Sequence, residues 1–252
     1  MGAFASKDML KKEVEQDDDS NKSHPALMRG ICAVVPVKQT DSAKERLART
    51  LTSARRQQLA CAMLEDVLTA LAATAELAAI LVVTIDPAAA LIAARYGARV
   101  SAASAAQGHT AAVAYAARQL AARRLAMLTM PADIPLVQTQ DVCELLGAHR
   151  SSTHAGGRAF TIIPAHDQRG SNAVVCSPAD AVPLRFGEDS FFPHLAAAKE
   201  TGIEPVVLRL PRVALDIDTP ADLAALIAAG PPSNTRTFEL LARWRLRQAA
   251  AG

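Results

Sequence analysis

The sequence predicts an α/β fold, a mixed and mainly parallel sheet with helices on both faces. Three observations carry that reading. Through the first half, short apolar runs alternate with longer stretches of helical period, the pattern of strands joined by crossover helices. The runs are apolar almost without a break, so their strands are buried on both faces. In the second half, AFTIIPA (159 to 165) and SNAVVCS (171 to 177) flank HDQRG, a turn-rich link that makes them antiparallel neighbours beside the parallel half.

Residues 1 to 29 are polar, charged and aperiodic and read as a flexible leader, with Met28 a natural start. ICAVVPV (31 to 37), ended by proline, is the first strand, and residues 53 to 75 follow at helical spacing. AAILVVTID (78 to 86) is a second strand, 87 to 96 a helix, ARVSA (98 to 102) a third strand, 108 to 123 a helix and LAMLTM (125 to 130) a fourth strand. After the antiparallel pair, RFGEDSFFPHLAAAKETG (185 to 202) opens a helix that Asp189 or Ser190 can cap and Gly202 can close. A strand at 204 to 210 and a helix at 220 to 229 complete a single domain over 30 to 230. Residues 231 to 252 begin Pro-Pro-Ser-Asn and continue as a basic amphipathic helix with Phe238 and Trp244, suited to docking on the body or on a second subunit of a homodimer.

Composition excludes several classes. A chain of 252 residues, 50% hydrophobic and 21% charged, affords a substantial core. The net charge of +2 lacks the basic footprint of a nucleic-acid binder, so an anionic partner must be small and locally held. Cys32, Cys61, Cys143 and Cys176 show no paired metal spacing and read as reduced thiols of a cytoplasmic protein. No apolar run is long enough to cross a bilayer, and Asp17-Asp18-Asp19 stands where a signal peptide would need a hydrophobic core.

Three polar constellations fall at strand ends, where open α/β sheets bind ligands. In VPVKQTDSAKERL (34 to 46) the first strand exits into a loop with Lys38, Lys44 and Arg46. It is neither a Walker loop nor a glycine-rich loop, so a bound triphosphate would be neutralised by side chains; the alternative is a solvated basic loop. In LTMPADIPL (128 to 136), Asp133 follows the fourth strand between Pro131 and Pro135, whose rigidity suits a metal ligand. It equally suits a turn aspartate that bonds its own backbone. In VALDIDTPADL (213 to 223), Asp216 and Asp218 lie two apart on an extended segment and face one side. Like charges there repel unless a cation lies between them; otherwise Asp218 helps to cap the helix opened by Thr219 and Pro220. Together these make one site: cations for a nucleoside triphosphate, carboxylates for magnesium, and an anion cradle at Gly187 and Ser190.

The strings VPVK…AKERLA, ADIPL, GSNAVV, FGEDSF…H and LDIDTPADL, in this order over residues 31 to 223, resemble the phospholactate guanylyltransferases of deazaflavin coenzyme F-420 biosynthesis. The resemblance implies a nucleotide-diphospho-sugar transferase-like, Rossmann-like nucleotidyltransferase fold that uses GTP and Mg2+. It also implies a phosphorylated three-carbon acid as acceptor and a downstream deazaflavin transferase as the product's recipient. Carried over by position, Lys38, Lys44 and Arg46 hold the triphosphate, with Gly108 and Thr110 on the nucleotide. Asp133, Asp216 and Asp218 hold metal, and Ser171, Asn172, Gly187 and Ser190 hold the acceptor. Two strings depart from the family's pattern: Gly108-His109-Thr110 stands for Gly-Leu-Asn, and Gly170-Ser171-Asn172 for Gly-Thr-Asn. Serine for threonine makes a roomier, more polar pocket and leans the acceptor toward 3-phosphoglycerate over 2-phospholactate or phosphoenolpyruvate. His194, one turn past Ser190, reads as a packing or phosphate-contacting residue. The rival readings are another nucleotidyl- or sugar-nucleotide transferase, and a regulatory module that binds nucleotide without turnover.

Overall fold

The structure, a computed structural model, describes residues 30–41, 43–153, 157–187, 189–230 and 235–249, with side chains as far as residue 244 in the last helix. The leader read over residues 1 to 29, with Met28, and the Pro-Pro-Ser-Asn string lie outside the described residues.

Seven strands form one sheet: β1 (Ile31–Pro36), β2 (Leu77–Val83), β3 (Arg99–Ser101), β4 (Ala126–Thr129), β5 (Ala159–Pro164), β6 (Ser171–Ser177) and β7 (Val206–Val207), in the order β3-β2-β1-β4-β6-β5-β7. β1 runs parallel to β2 and β4, and β2 to β3; β6 is antiparallel to β4 and β5, and β7 parallel to β5. The chain leaves β1 toward β2 and β3, then returns to the other side of β1 as β4. That reversal makes the carboxyl ends of β1 and β4 a topological switch point.

The pleat explains the two-sided burial. Ile31, Ala33 and Val35 of β1 face one core, with Leu64, Val67, Leu68 and Leu71 of α1 (Ser53–Ala72), Ile92 of α2 (Pro87–Arg95) and Val142, Leu145 and Leu146 of α4 (Thr139–Ser152). Cys32 and Val34 face the other, with Val113 and Leu120 of α3 (His109–Ala121) and Phe191 and Ala198 of α5 (Phe191–Glu200). Two short helices follow, α6 (Pro211–Ala214) and α7 (Pro220–Ala229), and α8 (Arg236–Ala249) ends the described chain. Leu240, Leu241 and Trp244 of α8 are buried against Leu59 and Met63 of α1 and Leu223 and Leu226 of α7, so the described part of that helix's apolar stripe is covered by the chain itself. All four cysteines are free thiols. No helix among the described residues is long and apolar enough to cross a membrane.

Two elements differ from the sequence reading. The strand expected over 204 to 210 shrinks to Val206–Val207, which pairs only with Thr161 and Ile162 of β5; Pro205 has no N–H to extend that ladder. α4 falls where no helix was read. It is closed at its start by Asp141, which accepts from Gln138 N at 2.9 Å, and buries Val142, Leu145, Leu146 and His149, an i, i+3, i+4, i+7 stripe.

Candidate active site

The cationic loop is held from three sides. Val37 N continues the β1 ladder onto Val83 O at 2.9 Å, after which the chain turns away. Buried Thr40 then gives its backbone N–H and its hydroxyl to Asp86 Oδ2, at 2.7 and 2.8 Å. Asp86 is also the N-cap of α2, accepting from Ala89 N with its other oxygen, so one carboxylate ties the loop after β1 to the helix after β2. From α1, Arg56 donates to Ala43 O and Leu51 O, both at 3.2 Å. Leu47, fully buried within a single 3-10 turn Glu45–Leu47, anchors the far end.

Between these anchors Lys44 adopts the left-handed conformation, φ 58°, uncommon for a residue with a side chain. Its ammonium is bonded to Asp133 Oδ2 at 2.5 Å and to Asp218 Oδ1 at 2.7 Å. The Lys44 side chain is only 9% exposed. Burial alone would lower its pKa, but Asp133 and Asp218 outweigh that and hold the amine above the usual lysine value. Burial likewise acts to raise Asp218, and the Lys44 charge reverses it, keeping the carboxyl below the ordinary aspartate range. Asp133 Oδ1 is buried with no hydrogen-bond partner.

The aspartates of the LDID string are fixed by backbone contacts. Ile217 N donates to Asp133 O at 3.0 Å, joining the β4 exit to this segment. Thr219 caps α7, with Asp222 completing the capping box and also accepting from Asp218 N at 3.1 Å. On the other side Asn172 Nδ2 donates to Val213 O, Ala214 O and Asp216 Oδ1, at 3.1, 2.9 and 3.1 Å. Burial, reinforced by Asp133, raises the Asp216 carboxyl above its ordinary value.

The structure therefore joins Lys44, Asp133 and Asp218 directly, and Lys38 and Arg46 line the same cleft of about 500 Å³. A cation does stand among the carboxylates, the Lys44 ammonium, but it bridges Asp133 and Asp218 rather than the Asp216–Asp218 pair whose repulsion called for one. Among the described residues no group of three or more His, Cys, Asp or Glu is gathered as a metal cage, and Asp216 turns its Oδ1 to Asn172. Gly108 and Thr110 are absent from the lining. Gly108 has φ 96° and sits at the N-cap of α3. The Thr110 hydroxyl accepts from Phe186 N at 2.9 Å and donates to Phe186 O at 3.1 Å, fastening α3 to the 186–190 loop. Asn172, read as an acceptor contact, spends its amide on the Asp216 segment.

On the acceptor side Ser190 does begin α5, but its hydroxyl makes no cap. It donates to Ser171 Oγ at 3.2 Å, and Ser171 Oγ lies 2.9 Å from His194 Nδ1. Asp189, the other expected cap, is at φ 56° and pairs with Arg169 at 2.6 Å. The first-turn amides of α5 are largely spent: Phe191 N donates to Arg169 O, His194 N to Ser190 O, and Pro193 has none. Gly187, at φ 154°, has open space around it. At this end the serine hydroxyls, more than the helix terminus, are the groups left to meet a ligand.

Sequence reasoning missed two contributors. Asp86 and Thr40 look like ordinary turn residues in the string, because their pairing spans the whole β1–α1–β2 crossover. His109 lines the cleft and stacks on Phe186 with centroids 4.4 Å apart. Its Nε2 is buried without a partner, and burial pushes the imidazole down to about 4.

Comparison with known proteins places the chain in a family. The family model described as guanylyl transferase CofC like matches residues 31–248. A protein of Conexibacter woesei named phosphoenolpyruvate guanylyltransferase is 38% identical over 197 residues, covering 77% of this chain and 86% of that protein. One of the same name from Rubrobacter xylanophilus is 39% identical, covering 79% and 95%. Among solved structures, a protein of Desulfovibrio desulfuricans G20, described provisionally as a nucleotide-diphospho-sugar transferase, aligns with TM-score 0.67 at 19% identity, covering 84% of this chain and 94% of that one. A 4-diphosphocytidyl-2C-methyl-D-erythritol synthase aligns with TM-score 0.54 at 13% identity, covering 80% and 98%. The structural likenesses establish the nucleotidyltransferase fold, and the sequence matches establish that the chain belongs to the guanylyl transferase CofC-like family.

Proposed function

We propose that this chain transfers the guanylyl group of GTP to the phosphate of a three-carbon phospho-acid and releases pyrophosphate, within deazaflavin coenzyme F-420 biosynthesis in the cytoplasm. The observation that carries the reading is the Lys44 bridge. It joins the cationic loop to carboxylates 89 and 174 residues away in the chain, at the switch point where this fold binds nucleotides. The relatives' names support phosphoenolpyruvate as acceptor ahead of the 3-phosphoglycerate favoured by Gly170-Ser171-Asn172.

A divalent metal fits the residues present. Asp133 offers a buried oxygen with no partner, Asp216 and Asp218 stand beside it, and Mg2+ commonly takes only one or two carboxylates. Asp133 and Asp218, which line the cleft, would hold it, with Asp216 nearby but turned to Asn172, and when bound it would neutralise charge on phosphate oxygens. Lys38 and Arg46 bind the triphosphate and, with Lys44, oppose the charge that gathers on its oxygens. Ser171, Gly187 and Ser190 orient the acceptor so that its phosphate oxygen lies in line with the α-phosphorus. No side chain is needed as a base. A phosphate monoester has its second pKa near ~6, whereas burial lowers His109 and His194 to about 4. The attacking dianion is thus a better base than either imidazole, and its product passes to a downstream transferase.

Pyrophosphate release tests the reading, with each nucleoside triphosphate paired against phosphoenolpyruvate, 2-phospholactate and 3-phosphoglycerate. Release with GTP and one of these acids is expected. GTP binding without release under any acceptor would make the chain a binding module instead.

A further inference from the structure

The proposed reaction leaves one physical problem at the acceptor end. A serine hydroxyl rotates, and its single proton can point anywhere a partner lies. With the first-turn amides of α5 largely spent, something must aim the hydroxyls if they are to hold a phosphate. His194 is 1% exposed and Ser190 4% exposed, so both are packed into fixed positions, while Ser171 at the start of β6 is half-buried. The His194 ring packs edge-on to Phe186, centroids 5.0 Å apart, and Phe186 is in turn clasped by Thr110.

The tautomer follows from the backbone. Arg185 N donates to His194 Nε2 at 2.9 Å. An N–H pointing at Nε2 requires a lone pair there, so in the neutral ring the proton sits on Nδ1, which faces Ser171 Oγ at 2.9 Å. Resting on the assigned reaction, we propose that His194 is a positioning residue that turns the Ser171–Ser190 pair into one outward-facing hydroxyl donor for an oxygen of the acceptor phosphate. The count of protons leaves one O–H over, and it falls to half-buried Ser171 because Ser190 is enclosed and donates to it. Three groups bring one imidazole N–H and two O–H. The two bonds inside the cluster, Nδ1–H to Ser171 and Ser190 O–H to Ser171, consume two of them. Ser171 Oγ then has both lone pairs filled, so its own proton must leave the cluster. The half-buried hydroxyl can serve an incoming anion only as a donor. With His194 on the other tautomer, Arg185 N would lose its acceptor and Ser171 would turn its proton inward.

Steady-state kinetics with GTP and phosphoenolpyruvate, or whichever of the three acids turns over, tests this. Ser171→Ala removes the outgoing donor. His194→Phe keeps the ring packing and removes both nitrogens, and His194→Asn returns a side-chain N–H near the Nδ1 position. Each of the first two should raise the acceptor KM roughly tenfold or more, the worth of one hydrogen bond to a charged group, and leave the KM for GTP within about twofold. The Ser171→Ala/His194→Phe double variant should be no worse than either single, because one removes what the other aims. His194→Asn should recover most of the loss.

Three results would overturn the relay: an unchanged acceptor KM in His194→Phe, additive losses in the double variant, or both KM values rising in step with a fallen thermal midpoint. If His194→Phe does not fold, Ser190→Ala decides. It removes only the second bond onto Ser171 and should cost less than Ser171→Ala; equal or greater cost defeats the arrangement. A wild-type protein inert with every acceptor defeats the reaction and the relay with it, whereas an active wild type beside unaffected variants defeats the relay alone.

Discussion

Lys44 concentrates more physical tension than any other residue of the cleft. A left-handed lysine costs about 1–2 kcal/mol, and a buried ammonium costs several kcal/mol more unless it is paired. The two carboxylates at 2.5 and 2.7 Å offset both, which is why the amine stays charged. Asp133 makes half of that pairing and leaves its buried Oδ1 unbonded, an omission that costs about 1–3 kcal/mol. A structural aspartate would have no reason to tolerate it, but one kept for a ligand would. Asp133→Asn preserves the shape and removes the charge while Asp218 still holds Lys44. Turnover should fall by about 100- to 1000-fold, far beyond any lowering of the urea midpoint, with a single cooperative transition retained. Pyrophosphate release within tenfold of wild type in that variant would exclude Asp133 from the reacting centre.

At the scale of elements, legibility followed the range of the forces involved. Strands and helices dictated by local pattern read correctly, as with Pro220–Ala229, where Thr219, Pro220 and Asp222 write the helix start into four consecutive residues. α4 carries an equally local stripe, Val142, Leu145, Leu146 and His149, but Gly147 and a polar composition hide it. The hydroxyl of Ser190 could not be read, because its choice between capping α5 and meeting Ser171 depends on β6 arriving beside it. The same holds for Lys44, whose partners are far off in the chain; the repulsion visible in the sequence, between Asp216 and Asp218, pointed to a different pair from the one Lys44 joins.

α8 offers the element-scale test. Its first amides, Arg236 N and Thr237 N, are capped by Asp66 of α1 at 2.6 and 3.0 Å, and the helix shares a core with Leu47 and Leu51 of the cationic loop. Burial pushes the Asp66 carboxyl up to about 6 from an ordinary 3.8. Its contribution to docking is therefore full below about pH 4 and lost as pH rises through about 6, up to about 3 kcal/mol. Trp244, the chain's one tryptophan, lies under Arg55 at 5.2 Å and reports docking directly. Asp66→Asn should remove the pH 4 to 6 change in the denaturant midpoint of tryptophan emission. An identical pH profile in the variant would clear Asp66 of that role.

For the whole molecule, the acid response is decided by groups pulling in opposite directions. Buried histidines on both sides of the sheet oppose Asp66. His149, at the end of α4, is 1% exposed and bonded to Thr161 of β5 at 3.0 Å and Ser177 of β6 at 2.8 Å. Burial lowers it to about 4 from an ordinary 6.5, and His109 and His194 are lowered to about 4 by the same cause. Each binds a proton in the unfolded chain well before the folded one. The stability each contributes is present above about pH 6.5 and lost as pH falls through about 4, on the order of 3 kcal/mol for a fully buried imidazole. Three such groups outweigh the two carboxylates of opposite sign, Asp66 and Asp216, so global stability should fall on acidification even while α8 docking tightens. His149→Gln, which keeps hydrogen-bonding groups between the two strands but does not titrate, should be less stable than wild type at pH 7. It should also lose more than a third of the net decline between pH 6.5 and 4.5, because Asp66 offsets part of what the three histidines lose, measured as urea unfolding free energy. Parallel curves for variant and wild type would mean that His149 titrates alike folded and unfolded, and the acid sensitivity would then belong to the other two histidines.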